Sequence, residues 1–284
     1  MPKKSIIAVL CTIVCLVFAS VALVLTSEFW TNADSGEVLI DTAYLDISAD
    51  GKTLNGFTID GKNYVKNLSS YKVVVPNRVT NISNVAFNEC SGLTSITLPS
   101  SLTSIGNCAF MNCTSLASIE IPFKVNHIGY RAFEGCKNLT SIEIPASVSR
   151  IDNATFNYCY NLTSVVLQNG VKTIGNSAFW HCTGLTSIII PASVIDVEVA
   201  AFAGCVNLNQ IIVQNFELMD DPNLAEYKDS GILFYEAPEV LSKENDRKNN
   251  IGLIAAISGG SVLGLGVIIT IVVMIKKRKK LQLK

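Results

Sequence analysis

Six phenylalanines recur at a fixed interval of 23 residues: Phe87, Phe110, Phe133, Phe156, Phe179 and Phe202. A cysteine follows each by three positions, at Cys90, Cys113, Cys136, Cys159, Cys182 and Cys205. Two columns locked over six periods constrain the chain more than any local propensity does. A unit this short cannot bury its own apolar face. It becomes stable only by stacking on copies of itself, so the period predicts a solenoid.

Other columns share the register. Leu93, Leu116, Leu139, Leu162, Leu185 and Leu208 follow the cysteines. Next come Ile96, Ile119, Ile142, Val165, Ile188 and Ile211, and two residues later Leu98, Ile121, Ile144, Leu167, Ile190 and Val213. Proline often follows, at Pro99, Pro122, Pro145 and Pro191, while Gln168 and Gln214 depart from the pattern. The unit reads L-x-x-I-x-I-P-x-x-V-x-x-I-G-x-x-A-F-x-x-C-x-x. The I-x-I step alternates apolar and polar residues, the period-two signal of a half-buried strand. Proline ends its ladder because it lacks an N–H. The rest of the unit leaves room for one helical or 3₁₀ turn around A-F-x-x-C. Each unit is therefore expected to be one coil with a short parallel strand on one side and turns or a short helical segment on the other. Phe, Leu, Ile and Cys point inward and stack like on like.

The phrases LTSITLPSSLTSIGNCAFMNC, LTSIEIPASVSRIDNATFNYC and LTSIIIPASVIDVEVAAFAGC carry a resemblance. The chain resembles the BspA-like, treponemal-type leucine-rich repeat proteins over roughly 73–213. The resemblance implies a curved leucine-rich-repeat solenoid and a surface-exposed role in adhesion or recognition. It names no ligand. Asp152 and Thr155 stand where Gly and Ala are usual, and Glu198 stands for Gly, so local differences are expected in those turns.

The flanks are read as follows. Residues 1–27, with Lys3 and Lys4 before an uncharged run, are a signal peptide or a retained N-terminal anchor. Residues 28–72 form an N-terminal cap of β structure, with turn signals at Asp50-Gly51 and Asp60-Gly61. The repeats span 73–213, a C-terminal cap 214–241 and a polar stalk 242–250. Residues 251–275 are 25 uncharged residues, long enough for a transmembrane helix. The basic tail 276–284 then fixes the orientation: C-terminus cytoplasmic, repeats extracellular. The chain is thus a single-pass cell-membrane protein, or two-pass if the leader is retained. Gly252, Ala256, Gly260 and Gly264 repeat at i+4 inside the span, a stripe that suits a homodimer.

Formal net charge is −1, but it is segregated. Residues 28–250 hold 14 basic and all 23 acidic groups, a net charge of −9. That argues against a nucleic-acid partner. The chemistry of catalysis is missing too. There are two histidines, His127 and His181, and no metal-ligand spacing or phosphate loop. No enzyme activity, cofactor or metal is expected. His181 adjoins Cys182, yet that cysteine belongs to the packing column. The aligned cysteines read as free buried thiols acting as small hydrophobes, with disulfides between stacked coils as the competing reading. Cys108 stands outside the column, in a turn. Sequons lie at Asn67, Asn81, Asn112, Asn138, Asn153 and Asn161.

Two surfaces are candidate binding sites for an extracellular protein or glycan. The first is the outward column of the strands: Val74, Thr97, Glu120, Glu143, Val166, Ile189 and Ile212. Within it Glu120 and Glu143 present carboxylates, and Val166, Ile189 and Ile212 an apolar row. The second is the aromatic turn cluster Tyr158, Tyr160, Trp180 and His181. Membrane-anchored adhesion or recognition is the leading expectation. A structural surface coat without a specific ligand is the alternative.

Overall fold

A computed structural model describes residues 31–32 and 37–237. The leader at 1–27, the end of the expected cap beyond 237, the stalk 242–250, the span 251–275 with its Gly252, Ala256, Gly260 and Gly264 stripe, and the tail 276–284 lie outside the described residues. Among the described residues no helix is long and apolar enough to cross a membrane.

Each period is one coil of a leucine-rich-repeat solenoid. The I-x-I steps pair in parallel and in register: Ile142 lies beside Val165 and Ile144 beside Leu167, and Ile188 beside Ile211. This ladder begins with Thr31–Asn32 against Glu37–Ile40, then Tyr71–Val74 and Leu93–Thr97. Single bridges at Ser118 carry it to Ser141–Ile144 and Ser164–Leu167. A further segment holds Ser187–Ile190, Gln210–Val213 and Leu233–Tyr235.

A second ladder was not expected from the sequence. Two-residue strands such as Ser104–Ile105, His127–Ile128, Arg150–Ile151, Thr173–Ile174 and Asp196–Val197 pair in parallel from coil to coil. Each unit therefore contributes two strands. The expected helical or 3₁₀ segment around A-F-x-x-C is absent from the repeats, where the chain makes successive tight turns instead.

Those turns are built from left-handed residues. Two positions before Phe the backbone is left-handed at Val85, Cys108, Arg131, Ala154, Ser177 and Ala200, with φ between 53° and 57°. Two positions after Phe it is left-handed again, at Glu89, Asn112, Gly135, Tyr158, His181 and Gly204. Non-glycine residues pay roughly 1–2 kcal/mol for this conformation. The compensation is a third inter-coil ladder. The N–H groups of Val85, Phe87 and Glu89 donate to the carbonyls of Asn107, Ala109 and Met111 at 2.9, 2.7 and 2.7 Å. The same three bonds recur in every coil down to Ser177, Phe179 and His181, which donate to Val199, Ala201 and Ala203.

Inside, the six phenylalanines form one stacked column. Successive rings lie 5.2–5.6 Å apart and within 10° of parallel. Edge-on aromatics close both ends: Phe57 on Phe87 at 84° and Tyr227 on Phe202 at 84°. The departures from the repeat do not disturb the turns. Asp152 and Glu198 are both held by Arg150, at 3.0 and 2.8 Å. Thr155 is fully buried, and its hydroxyl donates to the Asp152 carbonyl at 2.7 Å.

The N-terminal cap differs from expectation in one place. Leu45–Ile47 and Thr53–Phe57 form an antiparallel hairpin around Asp50 and Gly51. Asp60-Gly61 is not a hairpin turn but lies in an α-helix, Ile59–Val65, capped by Thr58, whose hydroxyl accepts from the Gly61 N–H at 3.0 Å. Gly61 is small because a Cβ there would collide with the Tyr44 carbonyl. The approach stacks Tyr44 on Tyr64 at 4.9 Å.

The Phe column generates a prediction. Phe156 is fully buried between Phe133 and Phe179. Phe156→Ala should cost about 3–5 kcal/mol of unfolding free energy. Urea denaturation measures it; a loss below about 1 kcal/mol would contradict the stacked column.

Candidate functional site

The outward column lies on the first ladder because side chains alternate across a strand, so its inward neighbours bury while it faces solvent. Register puts Val74 beside Thr97, Glu143 beside Val166, and Ile189 beside Ile212. Thr97, Glu120, Glu143 and Ile189 are exposed, and Val166 and Ile212 half-buried. Ile189 is 41% exposed between fully buried Ile190 and nearly buried Ile188.

The acidic half has its own geometry. The bridge between Ser118 and Ser141 places Glu120 level with Glu143 on the next coil. Like charges directly opposite destabilise a strand pair, and here the ladder narrows to that single bridge. Glu143 is restrained from the other side: the Gln168 amide donates to its Oε1 at 2.7 Å. Gln168 occupies the proline position of its unit, so this departure from the repeat orients a carboxylate.

The apolar half is longer than the sequence indicated. Leu233–Tyr235 adds a strand in register, with Phe234 beside Ile212. Phe216 and Tyr235 meet edge-on at 5.1 Å and are 63% and 44% exposed. The row Val166, Ile189, Ile212, Phe234 thus runs into an exposed aromatic pair. The signal was present in the apolar, aromatic-rich run Ile232-Leu-Phe-Tyr235 after Gly231, but Phe234 follows Ile212 by 22 residues, one short of the repeat.

The second surface is also assembled. Tyr158 stacks on His181 at 5.5 Å and lies 5.0 Å from Trp180; Tyr160 meets Tyr158 at 5.9 Å. Tyr158 and His181 occupy the left-handed column after Phe. The next member is Gly204, where a Cβ would sit 2.6 Å from His181 Nδ1. The histidine is therefore a ring packed between Tyr158 and a glycine backbone.

His181 does not engage Cys182. That thiol is fully buried and donates to the Phe156 carbonyl at 3.1 Å. The same clip joins every coil to the one before: Cys113 to Phe87, Cys136 to Phe110, Cys159 to Phe133 and Cys205 to Phe179, at 3.0–3.2 Å. All seven described cysteines are free. Burial pushes the Cys113, Cys159 and Cys182 thiols well up from the usual range, and Cys136 and Cys205 up to about 12. These are neutral packing groups, unsuited to nucleophilic or metal chemistry. Cys108 is half-buried at a left-handed turn position. Among the described residues no group of three or more His, Cys, Asp or Glu side chains is arranged to hold a metal ion.

Two strand ladders, each in segments, with a turn ladder and an aromatic column define a repeat scaffold whose working part is its surface. Residues 58–186 match the BspA type leucine rich repeat region in six copies. The match indicates no enzyme family. A leucine rich cell surface protein from Faecalibacterium prausnitzii A2-165 is 29% identical with a TM-score of 0.50, the match covering 61% of this chain and 54% of that one. A leucine-rich repeat protein from Bacteroides ovatus ATCC 8483 is 28% identical with a TM-score of 0.52, covering 62% and 47%. The chain thus spans about half the length of both. No curated protein matches it.

The thiol column makes stability depend on alkaline pH. Unfolded thiols ionise from about pH 9, while burial keeps folded Cys136 and Cys205 protonated to about 12 and raises Cys113, Cys159 and Cys182 well above the ordinary range. The native state then binds more protons than the unfolded state, so stability is lost as pH rises through this window. Each buried thiol contributes a slope of about 1.4 kcal/mol per pH unit. Replacing Cys136 and Cys159 with Ala should flatten the slope above pH 9 by about 3 kcal/mol per unit. Urea titrations at stepped pH measure this; an unchanged slope would show that the column is not protonated and buried.

Proposed function

We propose that this protein is a membrane-anchored recognition protein that binds an extracellular protein or glycan on the outward strand column. The observation that carries this reading is the in-register set Ile189, Ile212 and Phe234, together with Val166 beside the carboxylate of Glu143 on the same outward column as Glu120. The ladder itself does not need these side chains, and exposed Ile189 beside half-buried Ile212 and Phe234 presents apolar surface of the kind that marks binding sites. The apolar row supplies contact area. Glu143, restrained by Gln168, orients a partner carrying a basic group or hydroxyl donors.

Three further observations favour the cell surface. Residues 251–275 are uncharged and followed at once by five consecutive basic residues. The acidic bias of 28–250 suits a soluble outward-facing region. The similar Faecalibacterium protein is described as a leucine rich cell surface protein. In this reading 251–275 is the anchor, and 1–27 directs the repeats outward.

The test is saturable binding of a soluble 28–250 fragment to candidate host or neighbouring cells. Ile189→Glu should lower that binding at least tenfold while leaving the thermal midpoint within about 2 °C, because an exposed substitution costs within about 0.5 kcal/mol. Undiminished binding by the variant would remove the outward column as the site. Ordered self-assembly of the fragment with no saturable cell binding would favour a surface coat instead.

A further inference from the structure

The two strand ladders finish differently at the C-terminal cap. The short ladder finishes at Asp196–Val197, where the Asn223 side chain donates to the Val197 carbonyl at 2.8 Å. The long ladder finishes at Leu233–Tyr235, which pairs with Gln210–Val213 on one edge and with nothing on the other among the described residues. Hydrogen bonds fix which groups the open edge carries. The Ile211 N–H donates to the Ile232 carbonyl, and the Glu236 N–H to the Val213 carbonyl. Residues 232, 234 and 236 therefore bond back to the solenoid. The alternation of a parallel ladder turns the N–H and C=O groups of Leu233 and Tyr235 the other way.

Proteins blunt such edges with lysine, proline, a bulge or a covering loop. Leu233-Phe-Tyr235 is uncharged, contains no proline and keeps unbroken register with its neighbour. The charge around it is one-sided. Phe216–Asp220 and Ala225–Asp229 both pack against the strand. Residues 214–235 carry five acidic groups, Glu217, Asp220, Asp221, Glu226 and Asp229, and one basic group, Lys228, a net charge of −4. Lys228 is held by Asp220 at 2.6 Å, while Glu217, Glu226 and Asp229 are exposed. A bare edge accepts any extended backbone, so charge selects among partners. A second copy of this chain would set its own acidic cap against the first, and like charges oppose that pairing. A basic segment gains from the same field.

We propose that Leu233–Tyr235 accepts an extended basic segment of another protein as an added strand. Main-chain bonds to Leu233 and Tyr235 hold the segment, and its alternating side chains give specificity. Side chains on the Phe234 side are apolar and prolong the outward row by one strand. Those on the side of Leu233 and Tyr235 are basic and meet the acidic cap. The proposal does not depend on the outward column being a recognition site. Gln210–Val213 separates Ile189 from the edge strand, so either site can fail alone.

The test uses the full chain in uncharged detergent micelles, titrated calorimetrically with the hexapeptide acetyl-Lys-Val-Lys-Ile-Lys-Val-amide. It should bind saturably. The same residues reordered as acetyl-Lys-Lys-Lys-Val-Ile-Val-amide should bind about tenfold more weakly. N-methylation of one alternate set of its residues should abolish binding and of the other set leave it intact, because only one set bonds to the edge. Tyr235→Pro removes an outward N–H without touching the bonds to Gln210–Val213, and should weaken binding about tenfold, while Tyr235→Val stays within about twofold of the parent. Ile189→Glu should bind the peptide no more weakly than the parent. Absence of saturable binding by the alternating peptide would overturn the proposal. So would equal binding of the reordered peptide, tolerance of both methylated sets, or a Tyr235→Pro variant that binds as the parent does. A dimer that forms without peptide binding and dissolves on Tyr235→Pro would assign the edge to a second copy instead.

Discussion

The A-F-x-x-C turn cannot satisfy its own backbone, and the rest of the solenoid follows from that. Its left-handed residues aim alternate N–H groups along the stacking axis, where only another coil can accept them. A lone unit would carry the conformational strain without the compensating bonds. Once a second coil is present, three ladders, a ring stack and a thiol clip form together. Each coil thus contributes mainly at its two interfaces, which is the energetic meaning of a one-dimensional fold.

The same dependence explains the caps. The C-terminal cap closes the long ladder with Leu233–Tyr235. It closes the short one with amide side chains: Asn223 donates to the Val197 carbonyl and Asn215 to the Val194 carbonyl, each at 2.8 Å. Tyr227 covers the end of the Phe column. At the other end Phe57 does the same, and hairpin and helix cover the apolar face. Both caps are non-repetitive because each must end interactions that a further repeat would prolong.

Legibility in the sequence divides along the same line. Inward columns were readable because packing dictates residue type at a fixed period: Phe156, Cys159, Leu162 and Ile174 are all fully buried. The free-thiol reading rested on that logic, and the described cysteines are free. The turn ladder was not readable. Left-handed backbone usually announces itself through glycine, but here Val85, Ala154 and Ser177 adopt it because inter-coil bonds override local preference. The short second strands were missed since two residues carry no alternation. Phe234 was missed because the cap shortens its period by one, and the helix at Asp60-Gly61 because glycine there answers to Tyr44 and not to a turn.

Function has to be sought where these rules leave side chains unassigned. Most columns that touch a neighbouring coil are occupied by residues whose packing or hydrogen bonds account for them, down to Arg150 holding the two misplaced acids. The aromatic turn cluster falls partly under that account, since Tyr158 and His181 cover one another. The outward strand column does not. Neither Ile189 nor Phe234 is needed to complete a ladder, because backbone groups alone make those bonds. β-Branched residues do favour strands, yet the same positions hold Thr97, Glu120 and Glu143 elsewhere in the solenoid. Strand propensity therefore does not dictate an apolar residue there, and the change from carboxylates to an apolar row along one ladder is a property of the surface, available for recognition without disturbing the stack.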